Sequence, residues 1–243
     1  MGKKKLRYYP KAHTYWVGKK KLDSVTTFIG NFFEPFDQRA VARKLAKYKH
    51  NKKAKRGVRY WLNEWKQSRE FGSMVHAQIE TILKHMHPIK EASPFTRQAI
   101  KWIRDKREDI DYRWESELQL YDEELRLAGT VDFFYIDQQG KTNLVDWKTN
   151  KKLRSEGYEG KTGVLPPTET VQDCHISKYG LQLSFYAYML ERQGHDIGKL
   201  LIIHLTEDGA EEIEVAYLKD KVEEMLAYFG RVPDYDMDNS GGE

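Results

Sequence analysis

Two acids and a lysine, Asp132, Asp146 and Lys148, lie close together in GTVDFFYIDQQGKTNLVDWKT. Asp146 and Lys148 are two residues apart, so on a strand both side chains leave the same face. Asp137-Gln138-Gln139-Gly140 has the composition of a turn. If the segments on either side pair as antiparallel strands, Asp132 comes nearly opposite Asp146, about 4.5–5.5 Å away. Two acids at that distance repel unless a cation lies between them. A divalent ion such as Mg2+ or Mn2+ removes that penalty and supplies a Lewis acid beside an activated water. Lys148 would position or help deprotonate the water, or stabilise charge developing on a phosphate. The chemistry is metal-assisted hydrolysis of a phosphodiester. A salt-bridged patch on an exposed strand would use the same three residues, and D-x-K alone does not separate the two. The neighbours favour a site. Leu144-Val145 precede Asp146 and Phe133-Phe134 follow Asp132, so both acids interrupt apolar strands, which needs a reason.

Positioning these residues requires particular elements. RWESELQLY, ELRLAGTVDFFYI and KTNLVDWKT alternate or run apolar, as strands do. Downstream, Asn150 to Lys178 reads as a long loop with a Pro166-Pro167 pair. A helix is expected from about Lys178 to Gln193, then strands KLLIIHL and EEIEVAYL, then a helix from about Lys219 to Phe229. Upstream, Tyr8 to Leu22 reads as a short hairpin around a Gly-Lys turn, and Ser24 as the N-cap of a helix. Apolar spacing predicts helices over Gln38–Tyr48 and Tyr60–His85, joined by the basic connector HNKKAKRG, and another over Pro94–Lys106. The order implies an α/β fold with a central mixed β-sheet flanked by helices. The expected organisation is an N-terminal hairpin and basic helical region over 1–110, a core over 111–232 and a disordered tail over 233–243, together one compact domain.

Charge narrows the partners. Met1–Lys21 holds eight Lys/Arg and no acid, and Arg39–Arg69 holds twelve and one acid, Glu64. The remainder has 21 bases against 36 acids, so a basic first third precedes an acidic rest. Such a split suits a polyanion-binding surface beside an acidic centre, with a solvated basic helix as the alternative. The single cysteine, Cys174, excludes an internal disulfide and a cysteine-built zinc or iron–sulfur site. No apolar run approaches the ~20 residues that cross a bilayer. MGKKKLRYYP lacks the apolar segment of a secretory signal, so a cytoplasmic, non-secreted protein without a membrane partner is expected.

Four blocks together resemble the RecB-like branch of the PD-(D/E)XK nuclease superfamily. They are Gly72, His76 and Glu80 in EFGSMVHAQIE, Gly129 and Asp132, Asp146 with Lys148 and Thr149, and Gln182 with Tyr186 in QLSFYAY, in the branch's order. The resemblance implies a restriction-endonuclease-like core and one or two Mg2+ or Mn2+ ions. It implies ligation by His76, Asp132, Asp146 and the Trp147 backbone carbonyl, with Lys148 as the catalytic lysine. Gln182 and Tyr186 would contact substrate or hold Lys148, Glu80 would support His76, and Glu117 is a weaker accessory acid. Some relatives carry a four-cysteine iron–sulfur cluster, which this chain cannot hold. It also lacks a G-x-x-x-x-G-K-[ST] phosphate loop, so a stand-alone nuclease module or a subunit working beside other proteins is expected. It is similar to phage exonucleases and the mitochondrial genome-maintenance exonuclease. That similarity implies a DNA exonuclease of recombination, repair or replication, in a phage or bacterium, beside recombination or replication proteins. An endonuclease using the same metal site and an inactive nucleic-acid-binding module are the rival readings.

The basic segment would then form a wall beside the site. Lys52, Lys53, Lys55, Arg56 and Arg59 would contact phosphates of single-stranded or frayed DNA. Trp61 and Trp65, interleaved with these charges, either stack bases or belong to the core of an amphipathic helix. The other histidines, His13, His50, His85, His87, His175, His195 and His204, are read as structural or solvent-facing.

Overall fold

The computed structural model describes residues 6–9, 14–47 and 56–231, with Tyr112 described for its backbone only. Tyr48, His13, His50, Lys52, Lys53, Lys55 and the expected tail over 233–243 lie outside the described residues.

The described residues begin with three short antiparallel strands, β1 (Leu6–Tyr9), β2 (Thr14–Val17) and β3 (Lys20–Ser24). Gly18 takes φ 59 in the β2–β3 turn, a conformation open to glycine without strain. One face of these strands, Leu6, Tyr15, Val17 and Leu22, is buried against Ala128. Ser24 caps α1 (Val25–Gly30) as expected, its Oγ accepting from the Thr27 amide at 3.0 Å.

Helices α2 (Gln38–Lys47), α3 (Val58–His85) and α4 (Pro94–Asp105) follow, at the places the apolar spacing predicts. Ser93 caps α4 through the Thr96 amide at 3.0 Å, with Pro94 at the first helical position. In α2 only Ala42 is buried, and in α3 burial begins at Val75. The basic half of this helical pair is therefore its solvated half.

The core strands β4 (Ile110–Asp122), β5 (Leu127–Asp137) and β6 (Thr142–Lys148) form an antiparallel meander. Helix α5 (His175–Glu191) then returns the chain to β7 (Ile197–Leu205), parallel to β6. Strand β8 (Ala210–Val215) adds antiparallel to β7, and α6 (Lys219–Tyr228) closes the described chain. Helix α5 starts three residues before its expected start, because Cys174 stands at its N-cap and its Sγ accepts from the Ser177 amide at 3.5 Å. The sheet order is β1-β2-β3-β5-β6-β7-β8, with β4 on the other edge of β5. Helices α1, α5 and α6 pack on one face of the core and α3 and α4 on the other. Covered on both sides, β6 is buried from Thr142 to Trp147. No helix of the described residues is long and apolar enough to cross a membrane.

One detail of the sheet creates the site. The edge of β5 away from β4 is shared: β3 takes Leu127 and Ala128, and β6 takes Phe133 to Ile136. The backbone from Gly129 to Asp132 lies between those two ladders. Tyr186 of α5 packs there, so closely that a Cβ at Gly129 would fall 2.5 Å from its Cε1.

Candidate active site

The β5·β6 ladder ends at Phe133↔Val145, and continuing the register places Asp132 opposite Asp146 just beyond it. Past that last pair, the Trp147 amide donates to Asp132 Oδ2 at 2.8 Å. Asp132 Oδ1 faces His76 Nδ1 at 3.5 Å, and His76 Nε2 lies 3.0 Å from the Trp147 carbonyl. Both ring nitrogens thus face oxygen acceptors, the environment of a doubly protonated imidazole. Burial works against that charge, but Asp132 outweighs it and pushes the His76 pKa to about 9. Asp132 is in turn held below the usual carboxylate range, His76 overcoming its burial.

Asp146 is buried and meets Lys148 Nζ at 2.6 Å through Oδ2, while Gln182 Nε2 donates to Oδ1 at 3.3 Å. Burial pushes Asp146 up to about 6, even with Lys148 beside it. Burial also disfavours the Lys148 ammonium, yet Asp146 and Asp132 lift its pKa above the ordinary value. Lys148 therefore stays charged, a donor rather than a base. Its Nζ sits 4.3 Å above the ring of Tyr179, whose hydroxyl donates to Asn150 Oδ1 at 3.2 Å. His204 Nε2 lies 2.7 Å from the Asn150 carbonyl, so the segment leaving Lys148 is held from two sides.

Glu117 completes the group. In the β4·β5 register it falls between Ser116↔Phe133 and Leu118↔Val131, opposite Asp132. Its φ of 56 is left-handed, a strain of ~1 kcal/mol or more for a residue with a side chain. Burial and the nearby Asp132 push its carboxyl up to about 7. Ligand atoms of His76, Glu117 and Asp132 all lie within 4.8 Å of one another. Together with the buried Asp146, whose Oδ2 is held by Lys148, they form an oxygen-and-imidazole donor set that fits a divalent cation such as Mn2+ or Mg2+, His76 entering it as the neutral ring. The resemblance implied His76, Asp132, Asp146 and the Trp147 carbonyl. Here Glu117 joins the converging ligand atoms, while Asp146 is engaged with Lys148 and the carbonyl with His76.

The remaining residues singled out from sequence fall around this centre. Gly72 packs against Thr149, where a Cβ would meet Oγ1 at 3.1 Å, and so brings α3 to the end of β6. Glu80 pairs with Lys84 at 3.0 Å and, with Tyr8, His76 and Glu117, lines a cavity of ≈590 Å³. The Tyr186 hydroxyl lies 3.5 Å from Gln182 Nε2. Arg56 and Arg59 are exposed, and the Arg56 guanidinium lies 4.5 Å over the Tyr60 ring. Trp61 and Trp65 are half-buried, and Trp65 meets Phe36 edge-on at 5.6 Å. Glu64, between them, reaches Lys151 at 3.8 Å, so α3 runs past the exit of the catalytic strand. Tyr179 escaped the sequence reading. Its signal was its position three residues before Gln182 on the same helix face.

A family model for the PD-(D/E)XK nuclease superfamily matches residues 39–237. The chain belongs to the PD-(D/E)XK nuclease superfamily. These are hydrolytic nucleases that use divalent metal ions, in keeping with the donor set around His76, Glu117 and Asp132. No match was found among curated proteins. Among solved structures, this superfamily member is similar to the one described as the crystal structure of SSO0001. Identity is 12%, coverage is 90% of this chain and 80% of that one, and the TM-score is 0.38, a likeness too distant to inform the site.

Proposed function

We propose that this PD-(D/E)XK protein is a Mg2+- or Mn2+-dependent DNA exonuclease of the RecB-like branch. Its substrate is single-stranded or frayed DNA ends, and its setting is phage or bacterial recombination, repair or replication. One observation supports the reading above the others. Residues from four blocks separated in sequence meet at the point where β5 and β6 part company: His76, Asp132, Asp146 with Lys148, and Gln182. His76, Glu117, Asp132 and Asp146 would hold the ion, which when bound supplies a Lewis acid and a water of lowered pKa. The Lys148 ammonium is placed to stabilise charge that builds on the phosphate. Gln182 fixes Asp146, and Tyr179 fixes the lysine head. The solvated basic half of α2 and α3 contacts backbone phosphates and gives salt-sensitive, sequence-independent affinity.

The test is digestion of linear DNA labelled at either end, single- and double-stranded, beside closed circles, with Mg2+, Mn2+ or EDTA. Metal-dependent loss of linear DNA with circles spared is the expected result, abolished in Asp146→Ala. Cutting of circles would replace the exonuclease reading with an endonuclease one. Binding without cleavage under either metal would leave an inactive binding module.

A further inference from the structure

The outer face of the β1–β3 sheet belongs to no part of the catalytic centre. Residues alternate along these strands, so Leu6, Tyr15, Val17 and Leu22 point into the core. Arg7, Tyr9, Thr14, Trp16 and Lys21 then share the opposite face. The register sets Arg7, Trp16 and Lys21 in one cross-strand row, with Tyr9 paired to Thr14 one step along. Tyr9 is therefore diagonal to Trp16, a separation of roughly 7–8 Å. Arg7 and Lys21 are exposed, Tyr9 is 46% exposed and Trp16 half-buried, and with Lys19 the first strands line a shallow cavity of ≈520 Å³. An amphipathic hairpin needs only one apolar face to fold. A tryptophan and a tyrosine set between cations on the solvent side are not explained by packing.

We propose that this face is a second binding site, a platform for single-stranded DNA. Bases stack on Trp16 and Tyr9, and Arg7, Lys19 and Lys21 contact the backbone. Three observations favour that occupant over a protein partner. The segment from Met1 to Lys21 carries eight bases and no acid, which complements a polyanion. The diagonal separation of the Tyr9 and Trp16 positions is about twice the ~3.4 Å rise of stacked bases, so it suits neighbouring bases of an unstacked strand. The platform also shares strand β1 with the centre: Tyr8, on the opposite face of β1, lines the cavity that holds His76 and Glu117. Strand β3 joins β5 at Leu127 and Ala128, a few residues before Asp132. DNA engaged at the metal site would reach the platform by passing round β1, the edge strand of the sheet. The inference rests on the nucleic-acid reading of the centre and adds a site that the catalytic residues do not require.

Two measurements on the full chain test it, both in EDTA. The affinity of Trp16→Ala, Trp16→Phe and wild type for oligo-dT of about 20 nucleotides is compared with that for about 6 nucleotides. Wild type should gain affinity with length, Trp16→Ala should lose most of that gain, roughly 5- to 100-fold, and Trp16→Phe should keep part of it. Iododeoxyuridine-substituted oligo-dT, photocrosslinked and mapped by mass spectrometry, should label Trp16 or Tyr9. Equal affinity of wild type and Trp16→Ala for the long oligomer, with crosslinks confined to the metal centre or the α2–α3 arm, would overturn the platform and leave the nuclease reading intact. So would a change in oligomeric state of Trp16→Ala at unchanged DNA affinity, which would assign the face to a protein contact. Failure of wild type to bind either oligomer would reject the nucleic-acid reading itself.

Discussion

The β5–β6 hairpin has two ends built from similar residues and put to opposite uses. At the closed end, Asp137 Oδ1 accepts from the Gln139 and Lys141 amides at 3.0 and 2.9 Å, and Oδ2 accepts from Asn143 Nδ2 at 3.0 Å. Slight burial raises its pKa, but these bonds, led by Asn143, hold the carboxyl below the usual range. Both its oxygens are satisfied, and Gly140 at φ 80 completes the turn. At the open end, Asp146 and Glu117 are pushed up to about 6 and about 7 by burial, and Asp146 Oδ2 meets the Lys148 ammonium rather than a backbone amide. An acid whose lone pairs are filled by nearby N–H groups is a structural acid. Acids buried together, with a strained backbone at one of them, hold unspent capacity for a cation.

Substitutions at each end test the contrast. The largest difference is expected in cleavage. Lys148→Ala should lower the DNA cleavage rate by about 10²–10³-fold or more, while Asp137→Ala changes it less than about twofold. Next comes packing between β5 and α5. Gly129→Ala places a Cβ 2.5 Å from the Tyr186 ring and should cost ~1–3 kcal/mol in chemical denaturation. Below that is the seat of the lysine. Tyr179→Leu should slow cleavage roughly 2- to 30-fold without altering DNA affinity, and Tyr179→Phe, which keeps the ring, should recover most of the rate. An unchanged Tyr179→Leu rate would remove the ring from the account.

The smallest effect is at the closed end, where Asp137→Ala should lose roughly 1 kcal/mol of stability at neutral pH. Its sign with pH is fixed, because the folded-state pKa is depressed. The contribution is full above the unfolded value of about 3.9 and disappears as pH falls through the lower folded value. The wild-type and variant denaturation curves should therefore converge in acid. A gap that widened there would contradict the assignment.

These two ends differ in how far the sequence discloses them. The turn is legible, since aspartate and glycine at 137 and 140 sit between two apolar strands, and the strands, α4 and the Ser24 cap follow from periodicity and composition. The pairing of Asp132 with Asp146 is also legible, because turn length sets register. What lies hidden depends on backbone conformation and distance. Nothing in SELQLY announces that Glu117 takes a left-handed φ, and in HISKYGLQL the helix spacing puts Tyr179 on the face of Gln182 without showing that its ring lies beneath Lys148. β1 pairs as a third strand although LRYY is too short to alternate convincingly. The early start of α5 uses a cysteine as its cap, a residue that carries no common capping signal.

The central claim is that the open end, and not the closed one, takes a divalent ion. Calorimetric titration of Mn2+ into wild type, Asp132→Asn and Asp137→Asn tests it without reference to catalysis. Saturable binding by wild type and Asp137→Asn is expected, with loss of that binding in Asp132→Asn. Identical isotherms for all three proteins, or no binding by wild type, would contradict it.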